Sequence, residues 1–309
     1  MALLYRASGD SGTEWLAPLR AAMPDEEIRL WPEIGDPAEI DGAIVWKPPA
    51  GWLATLPNLK IILSLGAGVD HILLDPDLPP GVPIIRLVDP AMAETMTEWI
   101  VMQVLRLHRQ DLDYAAQQRE GVWRQLDQPT ARERRIGLLG MGALGAHAAQ
   151  TLRSIGFDVA GWSRSRKSVP GIASFAGLEE LESFLARTDI LVLLLPLTAD
   201  TDGLLDAARL AQLPRGAGIV NAARGRHIVD EALLDALGSG QISAAALDVF
   251  RHEPLPPEHP FWSHPSVIVS PHVAAATDPR SAAVIIGDTM RRLRSGGDLI
   301  NRVTPTAGY

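Results

Sequence analysis

The chain has no cysteine among its 309 residues, so it can form no disulfide, no zinc–thiolate site and no thiolate nucleophile. It also lacks an excess of basic residues: 28 Lys and Arg stand against 37 Asp and Glu, a net charge of −9. That balance excludes the broad basic footprint that neutralises phosphates, and no nucleic-acid partner is expected. Long apolar runs are missing as well. The longest uncharged apolar stretch, 136–152, holds four glycines, His147 and Gln150, and is shorter than the roughly 20 residues a bilayer-spanning helix needs. Residues 1–6 lack the basic segment and apolar core of a secretory signal. No membrane partner is therefore expected, and cytoplasmic residence is the default expectation. Internal repeats and low-complexity tracts are absent too.

The remaining composition, 47% hydrophobic and 21% charged, is that of a chain that buries a core. Its length predicts about two domains. Short apolar strands are expected at 2–6, 28–31, 43–46, 60–65 and 83–88, with helical stretches such as 13–22 and 52–56 between them. Asp89-Pro90 punctuates the chain, and 91–119 then runs without Pro or Gly. Between Trp99 and Leu107 only Gln103 and Arg106 are polar. A helix apolar on most sides is expected to be buried on most sides, between layers or domains. After Gly121 the pattern restarts, with strands expected at 135–139, 157–162, 189–195, 217–221, 244–249 and 267–270. A last helix is expected over 278–295, with Arg291, Arg292 and Arg294 near the end where cations complement the helix dipole. The alternation implies βαβ units and parallel sheets, an α/β fold.

The first motif that carries chemistry is Gly140-Met141-Gly142-Ala143-Leu144-Gly145, directly after a strand and before a helix. In that order the glycines permit a tight turn, close approach of a pyrophosphate to the backbone, and close helix packing. The helix N-terminus then offers N–H groups and partial positive charge to the phosphates. NAD-preferring sites place an Asp or Glu about twenty residues further on. Here the next strand ends in Trp162-Ser163-Arg164-Ser165-Arg166-Lys167 with no carboxylate. Ser163 can bond a 2′-phosphate and Arg164 can grip it, with Arg166 or Lys167 adding charge. The expected cofactor is NADP(H), with some use of NAD(H) possible.

Three later strand ends supply an arginine, a carboxylate and a histidine. Arg224 stands after the strand ending at Asn221. Asp248 and, five residues on, Glu253 follow the next strand, and His272 follows the one after. A guanidinium suits a carboxylate or a polarised carbonyl. A histidine paired with a carboxylate suits a general acid serving an alkoxide. His71, His108, His147 and His227 read as structural. His252, His259 and His264 lie close in sequence, but their spacing places no two on one helix face and no thiol assists, so no metal is expected.

With these residues in place, the chain resembles the D-isomer-specific 2-hydroxyacid dehydrogenases, and within them the glyoxylate/hydroxypyruvate reductase A branch. The resemblance runs from Val45-Trp46-Lys47-Pro48-Pro49 and Leu65-Gly66-Ala67-Gly68-Val69-Asp70 through the glycine turn. It continues in 162–167, Leu195-Pro196-Leu197-Thr198, Asn221-Ala222-Ala223-Arg224-Gly225, His252-Glu253-Pro254 and Ser270-Pro271-His272, and ends at Gly308-Tyr309.

The resemblance implies two Rossmann-like or flavodoxin-like doubly wound parallel-sheet domains with a cleft between them. Residues 1–89 with 281–309 would be the substrate domain, and 90–280 the dinucleotide domain. Arg224 would bind the substrate's carboxylate and carbonyl oxygens, His272 would donate the proton, and Glu253 would orient it. Backbone N–H groups at Leu65, Gly66, Ala67 and Gly68 would hold the carboxylate, and Trp46 would line the pocket. The glycine turn (Gly140 to Gly145), Trp162, Ser163, Arg164, Ser165, Lys167, Leu195, Pro196, Leu197, Asn221, Ala222, Ala223, Asp248 and His272 would contact the cofactor, Asp248 at the nicotinamide carboxamide. The implied activity is NADPH-dependent reduction of glyoxylate or hydroxypyruvate to the (R)-2-hydroxy acid by a homodimer. A same-fold dehydrogenase for a bulkier 2-oxo acid and a dinucleotide-sensing corepressor are the alternatives.

Overall fold

The structure, a computed structural model, describes residues 2–7 and 12–304. Gly308-Tyr309, the end of the resemblance, lie outside them. The chain divides into two compact units, Met1–Met92 with Thr277–Tyr309, and Ala93–Ala276.

The first unit is a five-stranded sheet in the order β2-β1-β3-β4-β5, every neighbouring pair parallel. Its strands are β1 (Ala2–Ala7), β2 (Glu27–Leu30), β3 (Ile40–Trp46), β4 (Ile61–Ser64) and β5 (Ile84–Ile85). Leu4, Ala43, Val45 and Ile62 bury themselves in one cluster with Leu53, Leu56 and Ile72, and the short helix α2 (Asp70–Leu73) follows β4. Helix α1 (Thr13–Ala22) stacks Trp15 on Tyr5 of β1, ring centroids 5.5 Å apart. It also touches α9 (Pro279–Ser295), where a Cβ on Gly287 would lie 3.1 Å from the Ala22 carbonyl oxygen. Asp278 starts α9 by accepting the Arg280 N–H, Pro279 fits its first turn, and Gly296 ends it in the left-handed conformation.

The second unit is a seven-stranded sheet in the order β12-β11-β10-β9-β6-β7-β8, again all parallel. Its strands are β6 (Arg135–Leu139), β7 (Asp158–Ser163), β8 (Ala173–Ala176), β9 (Ile190–Leu193), β10 (Ala217–Asn221), β11 (Ile242–Leu247) and β12 (Val267–Val269). Strand order reverses between β6 and β9, the switch point where doubly wound sheets bind ligands. Helices α3 (Pro90–His108) and α5 (Ala143–Ile155) belong to the core on one face. Helices α6 (Leu181–Ala186), α7 (Ala207–Gln212) and α8 (Asp230–Gly238) belong to the core on the other.

Several expectations need correction. The stretch 91–119 is two helices, because Gln110 takes a left-handed φ of 56° and α4 (Asp111–Glu120) starts afresh with polar sequence. Along 99–107 helix α3 is buried or half-buried at every residue but Met102. Met96, Trp99, Ile100 and Val104 enter the core, while Met102 remains 48% exposed on the opposite side. Residues 83–88 shrink to the two-residue β5, 52–56 is only a 3₁₀ turn over Leu53–Thr55, and β8 is an addition. The resemblance puts the exchanges between domains at 89/90 and 280/281, whereas the units change at 92/93 and 276/277. At the first exchange the N–H groups of Ala91 and Met92 donate to Asp89 at 2.9 and 3.1 Å, which keeps them with the first unit, and at the second Thr277 donates to the Leu65 carbonyl at 2.8 Å.

Candidate active site

Gly140 takes a φ of 107°, and a Cβ there would lie 2.6 Å from the Leu194 carbonyl oxygen, so β6 and the end of β9 meet through bare backbone. At Gly145 a Cβ would sit 1.9 Å from the Gly140 carbonyl oxygen, which lets α5 settle on the turn. At Gly142 it would meet nothing within 4 Å. Gly142 caps α5 without a side-chain bond, so the first N–H groups of a thirteen-residue helix face open space with the positive end of its dipole. That cradle fits a pyrophosphate.

At the end of β7 the Trp162 indole is buried in the core and donates to the Gly177 carbonyl at 2.8 Å. Ser163 is buried, and its hydroxyl accepts the Met141 N–H of the glycine turn at 3.1 Å. The hydroxyl proton remains for another acceptor. Arg164, Ser165 and Lys167 are exposed. Arg166 instead binds the Ser174 carbonyl and the Glu180 carboxylate. Past the turn at the end of β9, the Pro196 carbonyl accepts the Thr201 hydroxyl at 2.8 Å, and the buried His227 ring approaches it at 3.3 Å.

Strands β10, β11 and β12 lie side by side, and each ends in a candidate residue. The Asn221 side chain closes the turn after β10, accepting from the Ala223 N–H at 3.1 Å and donating to the Arg224 carbonyl at 3.0 Å. Gly225 follows, where a Cβ would come within 2.0 Å of the Phe250 carbonyl carbon. The Arg224 segment thus lies directly on the backbone that leads to Glu253. One Glu253 oxygen accepts the Phe250 N–H at 3.1 Å, and the other lies 2.8 Å from His272 Nδ1. A carboxylate on Nδ1 fixes the tautomer and leaves Nε2 to exchange a proton.

His272 has a φ of 56°, rare outside glycine, and such a conformation costs about 1–3 kcal/mol unless its surroundings hold it. Asp248, 1% exposed, does the holding. Its carboxylate accepts the Ser270 hydroxyl at 2.6 Å and the N–H groups of Val273 and Ala274 at 3.0 and 2.8 Å. Its carbonyl accepts the His272 N–H at 2.8 Å.

In the first unit, a Cβ on Gly66 would lie 2.5 Å from the Trp46 ring, so the indole rests on the bare backbone of the turn after β4. His71 packs on the same indole, ring centroids 4.4 Å apart. The Gly66 carbonyl accepts from the Leu87 N–H and the Gly68 carbonyl from the Ser64 hydroxyl, which spends acceptors and favours the N–H side of this turn for a ligand. The expectation that the Leu65 N–H holds a carboxylate needs correction: it continues the sheet by donating to the Val45 carbonyl at 3.0 Å.

A model of the D-isomer specific 2-hydroxyacid dehydrogenase NAD-binding domain matches residues 101–274. The chain belongs to the D-isomer specific 2-hydroxyacid dehydrogenase family. A dehydrogenase of this family from Xanthobacter autotrophicus Py2, solved with NADPH and MES, is 45% identical to the chain with a TM-score of 0.95, and the match covers 100% of the chain and 99% of that protein. An NADPH-dependent glyoxylate/hydroxypyruvate reductase from Sinorhizobium meliloti, solved with NADP and sulfate, is 40% identical with a TM-score of 0.94 over the same shares. A probable 2-hydroxyacid dehydrogenase from Rhizobium etli CFN 42, solved with NADP, HEPES and L(+)-tartaric acid, is 35% identical with a TM-score of 0.91, again over 100% and 99%.

In this dehydrogenase the supporting residues are the ones sequence reasoning undervalues. Asn221 reads as a cofactor residue but also closes the Arg224 turn, and Ser270 reads only as a neighbour of His272. Their signal is a small polar residue at a strand end, the type that bonds nearby backbone. Of the histidines read as structural, His108 and His227 are buried and His147 meets the Thr97 hydroxyl at 2.7 Å. Among the described residues there is no cluster of three His, Asp or Glu side chains placed to hold a metal ion, and no helix long and apolar enough to cross a membrane.

Proposed function

We propose that this dehydrogenase reduces a small 2-oxo acid, glyoxylate or hydroxypyruvate, to the (R)-2-hydroxy acid with NADPH, NADH also being accepted. The observation that carries the reading is the His272–Glu253 pair at 2.8 Å, on the segments that follow β12 and β11, the two strands that extend the sheet from β10, after which Arg224 stands. The cofactor's pyrophosphate would rest on Gly140, Met141, Gly142, Ala143, Leu144 and Gly145. Ser163, with its hydroxyl proton to give, and Arg164 would take the 2′-phosphate beside Ser165 and Lys167. Leu195, Pro196, Leu197, Asn221, Ala222, Ala223 and Asp248 would follow towards the nicotinamide. The NADP bound to similar proteins supports this choice.

When bound, the reduced nicotinamide supplies a hydride to the carbonyl carbon. Arg224 holds the substrate's carboxylate and carbonyl oxygen and stabilises the negative charge that grows on that oxygen. His272 protonates the oxygen from Nε2, while Glu253 balances the positive ring. Trp46 and the backbone N–H groups of Gly66, Ala67 and Gly68 would orient the acid; the Leu65 N–H would not, because it donates to the Val45 carbonyl at 3.0 Å. We further propose that the enzyme is a cytoplasmic homodimer.

Initial rates on glyoxylate, hydroxypyruvate, pyruvate and phenylpyruvate, each with NADPH and NADH, test the reading. Fastest turnover of the two small acids with NADPH is expected. Preference for phenylpyruvate selects a bulkier substrate, and tight NADPH binding without turnover selects a dinucleotide sensor. Arg224→Ala should lower kcat/KM on glyoxylate by about 10³ with NADPH affinity retained. Near-parental kcat/KM would end the clamp role.

A further inference from the structure

We infer that Thr277 is a positioning residue for the carboxylate-binding turn 65–68, and so a determinant of affinity for the acid substrate. The inference rests on the proposed role of that turn in holding the substrate's carboxylate. The carbonyls of Leu65, Gly66 and Gly68 are each held from a different direction. Gly68 is held by Ser64 within the turn at 3.4 Å, and Gly66 by Leu87 at 3.2 Å. Leu65 is held by the Thr277 hydroxyl at 2.8 Å, from a residue 212 positions away in sequence.

The Leu65 carbonyl matters most because of the peptide plane it belongs to. That plane is shared with the Gly66 N–H, and Gly66 has no side chain to resist rotation. The Trp46 indole occupies the very space a Cβ would need, so the position cannot be stiffened by a larger residue. The Gly66 N–H reaches the Ser64 hydroxyl only at 3.3 Å. Thr277 therefore supplies the shortest bond on this plane, and a flip of the plane would turn a carbonyl oxygen to where a carboxylate is to be received. Thr277 is suited to the task. It directly precedes Asp278, the cap of α9, and it stands five residues after His272, on the same chain segment that Asp248 clamps at Val273 and Ala274. The proton donor and the lock on the turn are thus neighbours in sequence although their targets are not.

The test compares Thr277→Val, which keeps the shape and removes the donor, with Thr277→Ser, which keeps the donor. In Thr277→Val the KM for glyoxylate should rise about five- to tenfold, the size of one lost hydrogen bond, with kcat changed less than about twofold. The NADPH dissociation constant should be unchanged, and Thr277→Ser should restore the parental KM. Binding of oxamate to the NADPH-loaded protein, measured by calorimetry, should weaken by the same factor in Thr277→Val and recover in Thr277→Ser. That readout needs no turnover, so oxamate binding that follows this pattern in a protein inactive on every 2-oxo acid would uphold the positioning role and reject the proposed reaction. Equal effects in both variants, a loss of NADPH affinity alongside, oxamate binding unaltered in Thr277→Val, or no oxamate binding by the parent would each overturn the inference.

Discussion

The two oxygens of Glu253 answer to different partners, the Phe250 N–H at 3.1 Å and His272 Nδ1 at 2.8 Å. Glu253→Gln preserves the shape and one acceptor but removes the negative charge that faces Nδ1. In the proposed reaction His272 gives its proton to the growing alkoxide while Glu253 holds the ring, so kcat for glyoxylate reduction should fall by about tenfold or more. The NADPH dissociation constant should stay at the parental value, and an unchanged kcat would remove Glu253 from the role proposed for it. Arg224, Glu253 and His272 are legible in sequence because each stands just past an apolar strand, a local signal. The holding roles of Asp248 and Thr277 are not. Asp248 acts on an N–H 26 positions away and Thr277 on a carbonyl 212 away, and such bonds leave no periodicity to read.

At the scale of elements, period and punctuation locate most strands and both long terminal helices, α1 and α9. They miss what depends on conformation at one residue or on partners elsewhere. Gln110 breaks a helical stretch that contains neither Pro nor Gly, and β8 forms only because β7 offers it an edge. The placement of α9 is another case. Arg294 donates to Asp41 of β3 at 3.0 Å and to Glu26 at 2.8 Å. Asp41 is 0% exposed, and Lys60 lies 3.6 Å from it. Burial alone would raise the Asp41 carboxyl, but the Arg294 hydrogen bond, its charge and that of Lys60 together hold it below the ordinary carboxylate range. A carboxyl depressed in the folded state adds stability above its unfolded pKa, about 3.9, and loses it as pH falls through the folded value. Arg294→Met strands a buried charge and should cost about 3 kcal/mol at neutral pH, lessened if Lys60 swings in. The deficit should shrink as pH falls and Asp41 takes a proton. Thermal unfolding of parent and variant across pH checks this, and equal midpoints at neutral pH would refute it.

For the whole molecule, the surface we assign to the proposed dimer is the outer side of α3. Val101, Met102 and Leu105 line an open recess of 630 Å³ with Glu98, Arg106, Arg109 and Asp111 around it. Arg106 and Asp111 pair with each other at 2.8 Å, so the apolar strip between the charges is the part a second copy would cover in a two-fold interface, where each copy presents the same residues. Trp123 adds to the case. It is 99% exposed, yet its loop is tied down by the Val122 N–H on the Gln117 carbonyl and the Leu126 N–H on the Tyr114 hydroxyl. An indole held in water on a fixed loop gains from being covered. Light scattering coupled to gel filtration should give twice the chain mass for the parent. Met102→Glu would put a charge at the centre of the strip, where desolvation without a partner costs several kcal/mol, and should yield monomers whose NADPH affinity is intact. A parent that elutes as a monomer, or a Met102→Glu variant that stays dimeric, would show that two copies do not meet on α3.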